Sequence, residues 1–76
     1  MTKRERNKLL QEAIKHLDEA YSILDELNYE EQDSLNNWPE SLQGTDNYAN
    51  AEERANTIDE AYSTLEEIKS NLEELQ

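Results

Sequence analysis

One segment of the chain occurs twice. Residues 17–27 read LDEAYSILDEL and residues 58–68 read IDEAYSTLEEI, and seven of the eleven positions are identical. The only proline and the only glycine lie between the two copies, within residues 36–45. Because proline and glycine interrupt helices, this stretch predicts a turn that folds one copy back against the other. We therefore expect a pseudo-symmetric antiparallel hairpin in which Tyr21 and Tyr62 lie at the same level.

Both segments also follow a heptad pattern, written abcdefg, when Tyr21 and Tyr62 are placed at position a. Leucine, isoleucine, alanine and tyrosine recur at positions a, d and g, which is the apolar share that a core-facing helix needs. The pattern predicts an all-α fold, a two-helix hairpin. The ten residues at position f are all acidic, and we call them the acidic stripes: Glu5, Glu12, Glu19, Glu26, Asp33, Asp46, Glu53, Glu60, Glu67 and Glu74.

Capping chemistry sets the expected boundaries. Thr2 and Glu5 form a capping-box pattern at the start of the first helix. Pro39 disfavours helical geometry in the residue before it, so the first helix should end shortly upstream. We expect Gly44 to close the turn in a left-handed conformation. Thr45 or Asp46 should cap the second helix, and Asn50 with Glu53 offers a second possible start. The predicted elements of the single domain, residues 1–76, are a helix at 2–36, a turn at 37–45 and a helix at 46–75.

The net charge of the chain limits the classes of partner that it can bind. The net charge is −12 at pH 7, although the first eight residues sum to +3. Such a surface repels nucleic acid and anionic lipid and attracts basic protein surfaces. We therefore expect a protein partner, a basic nucleic-acid-binding protein being one candidate, with no direct binding to nucleic acid or membrane. No signal-peptide or membrane-spanning pattern is present, which predicts a cytoplasmic location in a bacterial host cell.

The seam is the line of a and d positions along which the two helices should meet. Apolar residues outside this seam predict self-association. Leu9 and Ile23 at position c, Leu27 at position g and Tyr29 at position b lie beyond what one partner helix covers. Chains of this length seldom bury enough apolar area to be stable alone, and no cysteine is present to form a disulfide. We expect a homodimer in which two hairpins pack through the first helix as a four-helix bundle.

Two polar residues interrupt the seam near the turn. Asn28 occupies an a position and Glu31 a d position, and Thr57 and Arg54 lie opposite them in the predicted hairpin. An ion pair between Glu31 and Arg54 would fix the register of the helices more than it would add stability.

Catalytic and metal chemistry are not expected. The only histidine, His16, lacks the Glu-x-x-His spacing of carboxylate metal sites in helical bundles. One histidine and no cysteine leave little beyond exposed carboxylates for acid-base catalysis. We therefore predict a non-enzymatic protein with no cofactor and no metal.

Two features are candidate partner surfaces, and each has a simpler interpretation. Trp38 at the turn either anchors a partner or packs back, with Leu42, over the open end of the hairpin. The acidic stripes either keep the chain soluble or mimic the phosphate backbone of nucleic acid. The residues concerned are Glu19, Glu26, Glu60, Glu67 and Trp38.

The turn residues 37–43 read NWPESLQ and are followed by an acidic helix. The segment resembles an Asn-aliphatic-Pro-Glu-Ser-Leu-Gln turn of short helical-hairpin proteins encoded by phages and prophages of Gram-positive bacteria. Trp38 replaces the usual aliphatic residue. The resemblance implies a viral context. We expect a small acidic protein that occupies a host or viral protein, with two alternatives: a nucleic-acid mimic that inhibits host defence (anti-CRISPR or anti-restriction type) or a nuclease, and an assembly accessory protein.

Overall fold

A computed structural model describes all 76 residues, and the fold is an all-α antiparallel hairpin. Helix α1 spans Lys3–Asn36 and helix α2 spans Asp46–Glu73, with a single 3-10 turn at Glu40–Leu42 between them. The molecule is a rod of 61 × 17 × 15 Å. Neither helix has an apolar stretch long enough to cross a membrane.

Both helices begin at a threonine that caps free backbone amides. The Thr2 hydroxyl accepts a hydrogen bond from the Glu5 amide at 3.2 Å, and the Thr45 hydroxyl accepts one from the Tyr48 amide at 3.3 Å. These bonds satisfy amides that the first turn of a helix leaves unpaired. α2 ends at Glu73, two residues before the end expected from the sequence.

The connection between the helices closes without a left-handed residue. The Leu42 amide donates to the Pro39 carbonyl at 2.9 Å, and the Leu42 carbonyl accepts from the Thr45 hydroxyl at 2.6 Å and from its amide at 3.2 Å. The prediction for Gly44 was wrong, since no residue has a positive φ. The bonds to Leu42 redirect the chain, so the special conformation that glycine permits is not needed.

The helices meet along the a and d positions, which are the half-buried positions from Leu10 to Leu72. At the middle of the seam the rings of Tyr21 and Tyr62 stack with centroids 4.7 Å apart, and their hydroxyl oxygens lie 2.7 Å apart in a hydrogen bond. Ala55 is the only fully buried residue. A two-helix hairpin therefore covers one narrow seam and leaves most apolar side chains partly exposed.

The polar seam residues are paired, one of them differently from the prediction. Arg54 Nε donates to Glu31 Oε1 at 2.7 Å, so the expected ion pair is present. Asn28 does not face Thr57; its Nδ2 donates to Asp59 Oδ1 at 3.1 Å. Asp59 is favoured because its carboxylate accepts the amide hydrogen bond, whereas Thr57 bonds back to its own helix, at the Glu53 carbonyl.

Helix α1 extends beyond α2 at the end opposite the turn. Asp18 contacts Lys69 and Glu31 contacts Arg54 across the seam, so the last residue of α2, Glu73, is about level with residue 12 of α1. Residues 3–8, which read KRERNK, are exposed and about two helical turns in length. We call them the basic overhang.

Candidate binding surfaces

The acidic stripes lie on the two outer edges of the rod. Position f points away from the seam in each helix, and all ten carboxylate residues are exposed. None of them lies within 4.0 Å of a lysine or arginine nitrogen. Only His16 approaches them, at 3.9 Å from Glu12 and 3.6 Å from Glu19. The candidate residues Glu19, Glu26, Glu60 and Glu67 belong to these edges, two on each.

Three cations lie in the body of the rod, and two of them, Arg54 and Lys69, are engaged within the hairpin; the third, Lys15, has no carboxylate within 4.0 Å. Arg54 pairs with Glu31, and Lys69 Nζ lies 2.7 Å from Asp18 and 3.6 Å from Glu73. The same ammonium lies 5.3 Å from the centre of the Tyr21 ring. The hydrogen bond to Asp18, together with the nearby carboxylate charges, raises the pKa of Lys69. Neither Arg54 nor Lys69 is therefore free to neutralise the acidic stripes.

The turn places Trp38 against α2. Its ring packs edge-on against Tyr48 with centroids 5.4 Å apart, and its backbone carbonyl accepts a hydrogen bond from Gln43 Nε2 at 3.4 Å. The indole is half-buried, while Leu42 beside it is 45% exposed. Trp38 and Pro39 line a shallow surface depression with Leu42. The geometry favours Trp38 as a cover for the end of the seam, with Leu42 as the exposed apolar group of the turn.

The two broad sides of the rod differ sharply. In an antiparallel pair the c and g positions of both helices share one side, and the b and e positions share the other. Leu24, Ala61 and Ile68 line one shallow groove on the c and g side. Between Leu9 and Leu27 on α1, and between Thr57 and Leu75 on α2, this side has no carboxylate, lysine or arginine; Glu30 at position c and Arg54 at position g flank the stretch at its turn end. We call this stretch the uncharged side: Leu9, Ala13, His16, Ala20, Ile23, Leu27, Thr57, Ala61, Thr64, Ile68, Asn71 and Leu75.

Three of the predicted dimer residues, Leu9, Ile23 and Leu27, belong to the uncharged side, whereas Tyr29 at position b lies on the opposite broad side and is not part of the same surface. Leu9 is 51% exposed and Ile23 is 66% exposed, whereas Leu27 is half-buried because position g flanks the seam. Helix α2 adds exposed apolar residues to this side that the sequence-based prediction did not include, because Ile68 is 44% exposed and Leu75 is 67% exposed. The exposed apolar residues of α2 could have been predicted, because apolar residues occupy position g in both copies of the repeat.

The opposite broad side, which we call the charged side, makes two of the polar contacts that join the helices. Asp18 and Asp59 accept from Lys69 and Asn28 there. Its acidic residues are Asp18, Asp25, Glu52, Asp59, Glu66 and Glu73. The hydrogen bond to Tyr21, burial in the seam and the neighbouring Asp25 carboxylate raise the pKa of the Tyr62 phenol.

No arrangement of side chains in the chain points to catalysis. No three acidic or histidine side chains are grouped so as to hold a metal ion. The two residues whose pKa values are raised, Tyr62 and Lys69, belong to the structural contacts of the seam and do not line an enclosed cavity. The available chemistry is that of surfaces.

No protein-family model, curated protein or solved structure matches the chain significantly. The geometry defines a small acidic helical hairpin, and its function is argued from the surfaces described above.

Proposed function

We propose that this chain is a non-enzymatic binding protein that occupies a basic protein partner through its acidic stripes. The observation that supports the proposal is the row of unpaired carboxylates along each outer edge of the rod. Within one stripe, neighbouring heptad positions are about 10.5 Å apart at 1.5 Å per residue. A partner with lysine or arginine side chains along a groove finds regularly spaced acceptors there, and no lysine or arginine of the chain lies within 4.0 Å of them.

Charge density separates general binding of a basic protein from close mimicry of duplex DNA. A net charge of −12 over 61 Å is one charge per about 5 Å, whereas duplex DNA carries one per about 1.7 Å. A single hairpin therefore presents about a third of the charge density that a duplex-binding protein meets on DNA. This difference in charge density favours general binding of a basic protein over close mimicry of duplex DNA.

Nucleic-acid mimicry is the second candidate function. The straight rod and the regular spacing of the acidic stripes favour it, because nucleic-acid-binding proteins take much of their affinity from phosphate contacts. The resemblance of the turn to phage-encoded hairpins suggests a bacterial defence protein or nuclease as the target. Two hairpins side by side would carry one charge per about 2.5 Å, much closer to the value for duplex DNA.

A salt-dependent capture experiment tests the proposal. The native chain is immobilised and exposed to a lysate of a Gram-positive bacterium at about 50 and 500 mM sodium chloride, and bound proteins are identified by mass spectrometry. We expect basic proteins at low salt and their loss at high salt. Capture of nucleases or other nucleic-acid-binding proteins alone would favour mimicry, and capture that resists salt would contradict both candidates.

Matched charge reversals locate the surface. One variant changes Glu26, Glu60 and Glu67 of the acidic stripes to lysine. The control changes Glu40, Glu52 and Glu66 to lysine, which alters net charge equally but leaves the stripes intact; a Trp38→Ala variant tests docking at the turn. Loss in the stripe variant alone supports the proposal. Equal loss in both charge variants would mean that only net charge is recognised, and loss only in Trp38→Ala would move the site to the turn.

A further inference from the structure

We propose that the uncharged side binds a second copy of this chain in antiparallel orientation, and that Arg6 of each copy pairs with Glu30 of the other. The sequence suggested an interface on α1 alone. The structure adds α2 to it and assigns an orientation and a register. This inference is independent of the acidic stripes, which remain on the outer edges of both copies.

The broad side that carries the uncharged side is large enough for a stable interface when its two charged ends are covered as well. The rod is 61 Å long and 17 Å wide, so this whole broad side offers about 1,000 Å² per copy, against about 800 Å² per partner in a standard complex. The uncharged side is its central part, about 27 Å long at 1.5 Å per residue. Covering it would bury Ile23 and Ile68, which a single hairpin leaves 66% and 44% exposed. Because only Ala55 is fully buried in one hairpin, a second layer of helices is the source of core that the chain lacks.

Charge identifies the occupant as another copy. Two copies with a net charge of −12 repel each other across any face that carries carboxylates, and the uncharged side is the broad surface that avoids this repulsion. The residual charges at its two ends are opposite in sign. The first eight residues sum to +3, whereas residues 30–54 around the turn sum to −6.

These opposite ends select the antiparallel orientation. In a parallel dimer the two basic overhangs would lie together and so would the two acidic turns. In an antiparallel dimer each overhang lies beside the turn end of the other copy. Attraction then replaces repulsion at both ends of the rod.

A single ion pair defines the register. Arg6 occupies a g position and Glu30 a c position, so both lie on the same broad side, at opposite ends of the uncharged side. Both residues are exposed, and neither has an ion-pair partner in its own chain. A twofold axis level with Asp18 brings each Arg6 opposite Glu30 of the other copy.

The same axis matches apolar residues along α1. Leu9 falls opposite Leu27 of the other copy, and the small Ala13 falls opposite the large Ile23. Alternation of small and large side chains lets facing helices approach and interdigitate. One register thus satisfies the charged and the apolar residues of α1.

Helix α2 supports this register independently. Asp18 contacts Lys69 across the hairpin, so the axis crosses α2 within about one turn of Lys69. A centre at Glu66, inside that turn, places Thr64 opposite Ile68 of the other copy. The two helices therefore give consistent centres for a single twofold axis.

Cysteine cross-linking tests the orientation without background, because the chain has no cysteine. Ala13→Cys and Ile23→Cys variants are prepared separately, mixed to allow exchange of copies, and oxidised. The antiparallel register predicts disulfide-linked dimers in the mixture only. In either variant alone the equivalent cysteines are about 15 Å apart along the rod at 1.5 Å per residue, beyond the reach of a disulfide. Tyr29→Cys, on the charged side, is the control that should not cross-link.

Each outcome of the cross-linking decides the proposal. Disulfide formation by Ala13→Cys alone would show a parallel or differently centred dimer and overturn it. The absence of a cross-link in every combination would also overturn it, as would a monomer whose uncharged side captures a different protein.

Charge reversal tests the register separately. Arg6→Glu and Glu30→Arg should each weaken the dimer about tenfold, because two like-charge pairs are created in each dimer. The double variant restores opposite charges and should return to within about threefold of the native dissociation constant by sedimentation equilibrium, which corresponds to about 0.7 kcal/mol. Additive loss in the double variant would show that Arg6 and Glu30 do not pair.

Discussion

The two broad sides of the hairpin differ in the contacts that their side chains make. On the charged side, Asp18 binds Lys69 and Asn28 binds Asp59, so the contacts run between the two helices of one chain. On the uncharged side, Ile23 and Ile68 extend outward without covering partners. The charged side contributes to how α1 and α2 pair, and we propose that the other side is available for association.

Two side chains that are similarly exposed to solvent can lie in very different surroundings. Ile23 is 66% exposed on the uncharged side, and Tyr29 is 71% exposed on the other broad side. Ile23 has apolar and uncharged neighbours from Leu9 to Leu27, whereas Tyr29 is an isolated apolar group. Single exposed apolar residues are common on protein surfaces, whereas we propose that the continuous uncharged surface is a site of association.

The largest expected effect separates these two residues. Ile23→Glu should lower the melting temperature by more than about 10 °C, because it places an unpaired charge in the apolar interface. Tyr29→Glu makes a comparable change in charge on the other side and should shift the melting temperature by only a few degrees. Thermal unfolding followed by circular dichroism measures both. Similar shifts in the two variants would mean that the broad sides are equivalent.

Removal of one tyrosine hydroxyl should have the next largest effect. Tyr21→Phe or Tyr62→Phe leaves the other hydroxyl without its partner in the seam, at a cost of about 1 kcal/mol, or about 5 °C in melting temperature. The double variant removes both hydroxyls and should cost no more than either single change. Additive losses in the double variant would show that the two hydroxyls contribute independently.

Alkaline pH should weaken the charged side. The pKa values of Tyr62 and Lys69 are raised in the folded hairpin, chiefly by hydrogen bonds to Tyr21 and Asp18 respectively. Raised values mean that both contributions are complete below about pH 10, the unfolded value, and are lost as the pH rises further. The melting temperature should fall by several degrees between pH 9 and about 11.5.

Tyr62→Phe supplies the control for this pH dependence. The variant should show a shallower fall, since only Lys69 then contributes of the two. An unchanged slope would show that Tyr62 does not link stability to pH.

The smallest effect concerns salt. Carboxylates of the acidic stripes repel one another and those at position e, with few cations between them. Raising sodium chloride from about 20 to about 200 mM should screen this repulsion and increase the melting temperature by a few degrees. A decrease would mean that attractive pairs, such as Glu31 with Arg54, outweigh the repulsion.

The helices and their pairing could be predicted from sequence because they follow from local signals. The repeat and the heptads fix the level of Tyr21 and Tyr62, and the threonine caps fix the helix starts. The conformation of Gly44 could not be predicted, because the Thr45 hydroxyl offered the turn another way to close.

The side-chain partners near the turn were only partly predictable. Heptad position gives the level of a side chain along the seam but not which nearby acceptor it reaches. Glu31 and Arg54 have one evident partner each, and they pair. Asn28 was expected opposite Thr57 but bonds to Asp59, the stronger acceptor. The c and g surface of α2 became apparent only when both helices were placed side by side.

The mass of the native chain in solution tests most directly whether the uncharged side is an interface. Sedimentation equilibrium should be measured at about 1 to 100 µM, where a dimer of ordinary affinity is populated. We predict twice the chain mass of 8.9 kDa in the upper part of this range. A stably folded species of 8.9 kDa at every concentration would contradict the division between a charged side that holds one hairpin and an uncharged side that binds a second copy.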